Sequence, residues 1–159
     1  NVARLGTSAN ATIIQWHVVA MFAPSFFTGN LIQRFGIIKI LFAGLLAYIV
    51  AMVTALAGDH FIHYFVALFL LGLGWNFLYI GGSTLVASVA TAEERGRVQG
   101  VADLATTSLV AMASLTAGGL HSQFGWDVLI LAGCVPIAIL ACGLGWLGVH
   151  QRRIALSPS

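Results

Sequence analysis

The chain has 159 residues, of which 59% are hydrophobic and only 8% charged, with a formal net charge of +2 and a mean hydropathy of +0.96. Soluble domains carry about 25% charged residues, so this composition excludes an ordinary water-facing surface and calls for lipid as a partner. The small net charge gives no footing for nucleic acid.

The charges are also clustered, leaving residues 40–58, 64–92 and 128–149 without any. A helix needs roughly 20 apolar residues to cross the hydrocarbon core. These runs lack the alternation of a barrel strand. The expectation is an all-α polytopic membrane protein, one transmembrane domain over residues 1–159. Five spans are expected at about 11–28, 37–57, 63–88, 97–118 and 127–149, with a polar tail at 150–159. The chain opens at Asn1 in a polar stretch to Asn10 that fits no signal peptide, so it reads as part of a longer protein.

The first span carries His17, with Gln15 about 200° around the helix from it, so the two cannot share a cavity. His17 is either a pathway or proton group or an interfacial anchor beside Trp16. Pro24 is expected to kink this span near its inner end. The connection that follows runs from Gly29 to Lys39. The second span has only Tyr48 and Thr54 as mid-depth polar groups and is expected to be peripheral.

The third span places Asn76 about 18 Å along the helix from Tyr64, near the middle of a core about 30 Å thick. Gly72, Asn76, Tyr79 and Ser83 are spaced four, three and four apart and share one face. Such a stripe suits a solute path at the midplane. It equally suits small residues and an amide that hold helices together. Thr91-Ala92-Glu93-Glu94 has the pattern of a capping box at the start of the fourth span.

In the fourth span Gln99, Asp103, Thr106 or Thr107, and Ser114 share a face. Asp103 is the only acid well inside an expected span, which makes it a coupling group or a structural anion at the gate. Gly58, Gly118 and Gly119 fall where helices should end. The fifth span is nearly free of polar groups, and its Cys134 and Cys142 match no metal or redox spacing. No cofactor or metal is expected.

Arg34, Lys39, Arg95, Arg97, Arg152 and Arg153 all fall on one side of a five-span arrangement. The other side holds Arg4, Asp59 and Asp127. The positive-inside rule then puts Asn1 outside and Ser159 in the cytoplasm of a multi-pass cell (inner) membrane protein.

The segment Gly29-Asn30-Leu31-Ile32-Gln33-Arg34-Phe35-Gly36-Ile37-Ile38-Lys39 resembles the cytoplasmic loop signature of the major facilitator superfamily, roughly Gly-x-Leu-x-Asp-Arg-x-Gly-x-x-Lys/Arg. Gly29, Leu31, Arg34, Gly36 and Lys39 match, and Gln33 stands where the family usually has an acid. Glu93-Glu94-Arg95-Gly96-Arg97-Val98-Gln99-Gly100 resembles the family's loop between its tenth and eleventh helices. Gln15-Trp16-His17, Phe22 to Gly29, and Gly74-Trp75-Asn76-Phe77 are similar to a bacterial branch.

The resemblance covers the chain as helices eight to twelve, an incomplete second half of a twelve-helix fold. It implies a secondary transporter of a small solute by alternating access, with the N-terminal half of the same protein as partner and proton coupling as the expected drive. Pathway residues would be Asn76, Tyr79, Ser83 and His17. Gating or coupling residues would be Asp103, Gln99, Gly29, Arg34, Gly36 and Lys39. A membrane scaffold subunit is the main alternative. An intramembrane serine protease is weaker. Gly81-Gly82-Ser83-Thr84 approaches the rhomboid Gly-x-Ser-Gly, but the expected topology separates Ser83 from His121.

Overall fold

The computed structural model describes residues 7–58 and 60–156. Arg4 and Asp59 lie outside them, as do the side chains of His121, Asp127, Arg152 and Arg153. The order is α1 (Thr7–Phe22), α2 (Ser25–Phe35), α3 (Ile37–Leu56), α4 (Phe61–Val89), α5 (Arg95–Ala132) and α6 (Cys134–Leu156), with no strand among the described residues. The protein is therefore all-α. α3, α4 and the Arg95–Gly119 part of α5 are long and apolar enough to cross a membrane. α1 and α2, bent by 43° at their junction, together make a fourth such unit.

The bend falls at Pro24, whose missing N–H and ring oppose a continuous helix. Beyond it the chain departs from the expected connection. Residues 25–35 are helical, and the reversal is confined to Gly36 at φ 89° and ψ 151°. Helix wins over Gly29 and Asn30, both turn-favouring residues, because α2 buries Thr28 and Ile32. Intrinsic propensity is weak against that packing.

The core lies between α3 and α4. Ile40, Leu41, Gly44, Leu45 and Ala51 form one buried face of α3. Gly44 and Gly74 let the two backbones approach closely. A methyl group added at Gly74 would stand 2.6 Å from the Tyr48 ring and 2.9 Å from Gly44 O. Membrane helices associate through small residues of this kind, because lipid removes the hydrophobic drive between them. Leu41 and Leu45 also meet Leu144 of α6, with Ile137, Leu140 and Ala141 packed around them.

Two expectations at the C-terminal end need correction. α5 continues through Gly118 and Gly119 and leaves helical geometry at Gly125, φ 83°. The span expected at 127–149 is divided at Gly133, and its second part, Cys134–Val149, is apolar but short. Pro136 explains the division. It cannot donate to Ala132 O, but it is tolerated in the first turn of a new helix. The capping pattern at Thr91 is half realised. Glu94 N donates to Thr91 Oγ1 at 3.3 Å, while the Glu94 carboxylate accepts from the Thr91 hydroxyl at 3.0 Å rather than from its backbone.

Candidate transport-path site

Four of the residues singled out by periodicity meet between α4 and α5. Gln99 Nε2 donates to Ser83 Oγ at 2.7 Å and to Asp103 Oδ1 at 3.3 Å. Tyr79 Oη donates to the same Asp103 oxygen at 3.3 Å. Ser83 and Tyr79 lie one turn apart on α4, as do Gln99 and Asp103 on α5, so two helical repeats face each other. The Tyr79 ring stacks on Trp75 at 5.8 Å and 12°. Tyr79 is 43% exposed and Asp103 is half-buried. Chemically this is a carboxylate held by neutral donors at the margin of the packed helices.

Asn76 is placed differently. It is 2% exposed and faces the α1–α2 junction. Its Nδ2 donates to Met21 O at 2.7 Å and to Ser25 Oγ at 2.7 Å. Its Oδ1 accepts from Thr28 Oγ1 at 2.6 Å. Met21 lies in the last turn of α1, where carbonyls run out of intrahelical partners. Thr28 is fully buried, and its hydroxyl also stands 2.9 Å from Pro24 O. Both ends of the amide are thus engaged, which favours the helix-holding alternative for Asn76. Interhelical hydrogen bonds in membranes are worth about 0.6 kcal/mol each on average.

His17 sits apart from both groups. Its Nδ1 lies 2.6 Å from Leu68 O, and a carbonyl can only accept, so this nitrogen carries the proton. Gly72 admits the contact: a methyl group there would stand 2.5 Å from His17 O. Within α2, Gly29 has open space beside it. Arg34 lies over the Phe35 ring at 5.4 Å. Lys39 edges a groove with Phe35, Phe42, Leu85 and Gly148. Among the described residues no hydrogen bond or ring contact joins Gly29, Arg34 or Lys39 to the α4–α5 cluster.

Sequence reasoning missed Ser25, Thr28 and Trp75. A signal existed for the first two: hydroxyls three apart, just after a proline, lie ready to satisfy groups at the break. Among the described residues no group of His, Cys, Asp or Glu could hold a metal ion. The Cys134 thiol lies 3.3 Å from Met52 Sδ.

The profile of the Major Facilitator Superfamily matches residues 4–158. The riboflavin transporter RfnT of Brucella anthropi is 47% identical over 116 residues, covering 73% of this chain and 29% of that protein. The uncharacterized MFS-type transporter YdeG of Bacillus subtilis is 32% identical over 133 residues, 82% of this chain and 29% of its own length. A cis,cis-muconate transport protein of Acinetobacter baylyi is 30% identical over 111 residues, 70% of this chain and 27% of its own. No solved structure matches. The chain thus spans under a third of the length of these relatives. With its apolar helices and the profile match over nearly its whole length, the chain belongs to the major facilitator superfamily, a family of membrane transporters.

Proposed function

We propose that this chain is the C-terminal part of a secondary transporter that moves a small solute by alternating access, coupled to protons through Asp103. The carrying observation is the α4–α5 cluster, in which Asp103 accepts from Tyr79 and Gln99 while Gln99 reaches Ser83. Among the described residues the donors to Asp103 are neutral, and its bonds must differ between the inward-open and outward-open states to bias them. Riboflavin is the first substrate to test, because the 47% identical relative is a riboflavin transporter. The N-terminal half of the same protein is the proposed partner, and the α2–α3 joint is proposed to face the cytoplasm.

The test is riboflavin uptake against external pH by the intact membrane protein and its Asp103→Asn variant. The expected result is a loss of the pH dependence, with uptake at the favourable pH falling about tenfold. Retention of the full pH dependence would remove Asp103 from coupling.

A further inference from the structure

We infer that Asn76 is a positioning residue that clamps the α1–α2 break and sets the angle at which α2 carries the Gly36 joint. Three observations meet at this point. The span is broken at Pro24 with a bend of 43°. One side chain from α4 reaches across the break, holding Met21 O before it and Ser25 Oγ and Thr28 Oγ1 after it. That side chain is buried, as is Thr28.

The orientation of the amide follows from its partners. Met21 O can only accept, so Nδ2 must face it, and Oδ1 is left for the Thr28 hydroxyl. Thr28 has a single proton and two acceptors within reach, Asn76 Oδ1 and Pro24 O. Its proton serves one at a time. The junction therefore has two bonding arrangements, one with Thr28 tied to α4 and one with Thr28 folded back on its own helix. In the second, α2 is freed from Asn76 Oδ1 while the hydroxyl stays satisfied. Asn76 Oδ1 then loses the one donor that reaches it among the described residues, inside a buried site, and the cost of stranding it favours the first arrangement, which holds α2 at its angle. Asn76 thus acts through α2 and not by touching the solute.

The kinetic readout rests on the transporter reading, whereas the distance readout stands without it. In the intact membrane protein, with Cys134 and Cys142 replaced by serine, spin labels at the exposed positions 11 and 33 would span the break, about 33 Å apart along the helix. In Asn76→Leu we expect the distance distribution to broaden. We also expect the maximal riboflavin uptake rate to fall about tenfold with KM changed less than about threefold. Thr28→Val should move both readouts in the same direction, and the double variant should be no worse than Asn76→Leu alone, because both act on one bond set. If Asn76→Leu does not reach the membrane, Thr28→Val decides by itself. An unchanged distance distribution would overturn the clamp. A rise in KM with an unchanged maximal rate would overturn it too, and would make Asn76 a solute contact. Failure to transport riboflavin, with the distance change intact, would count against the proposed substrate alone.

Discussion

At Gly36 the backbone takes φ 89° and ψ 151°, a region open essentially to glycine alone. The residue also forms the whole connection between α2 and α3. Gly36→Ala should cost about 1–3 kcal/mol, read as a lowered midpoint of chemical unfolding in detergent. Gly29→Ala, with open space beside the glycine, is the control. If the two variants behaved alike, the strain at Gly36 would be discounted. Gly29 and Gly36 look interchangeable in a loop signature, yet one is a helical residue with room to spare and the other cannot be replaced without strain.

At the level of helices, α3 and α4 are held by the mutual approach of Gly44 and Gly74. Around Gly74 the obstacles are an aromatic ring and a carbonyl, neither of which yields cheaply. Gly74→Ala should therefore destabilise the packed pair by about 1–3 kcal/mol through overpacking, seen as a lowered thermal midpoint of the purified protein. A rise in that midpoint would show that the glycine is not needed for close approach. The Pro24 bend was legible beforehand, because proline's missing donor acts locally. The shared faces of Tyr79 with Ser83 and of Gln99 with Asp103 were legible too, because helical periodicity fixes them. What periodicity cannot supply is the partner. Asn76 meets residues about 50 positions away, and nothing local says whether an amide at mid-depth will face a cavity or a neighbour's backbone. The division at Gly133 was hidden for another reason: apolar residues continue on both sides of it, so hydropathy runs across a break that Pro136 imposes.

Taken as a whole, the helices are unevenly covered. The Arg95–Gly119 part of α5 has no buried residue in its apolar window, and Leu104, Met112 and Leu115 are strongly exposed, the last at 82%. Tyr79 is also exposed, beside α5. This is the side on which a partner half would stand under the proposed function. The proposed orientation makes its own prediction. A cysteine at Gln33 should resist a membrane-impermeant maleimide in intact cells and react in inverted vesicles, and one at His60 should do the opposite. The reverse pattern would invert the topology. The single-residue joint at Gly36 has a mechanical meaning at this scale. A flexible loop would absorb rotation of α2, whereas one residue provides no slack. A change of angle at the Pro24 bend would therefore pass into α3 and, through the Gly44–Gly74 contact, into α4, so that bend, joint and packed pair would move as one drive train.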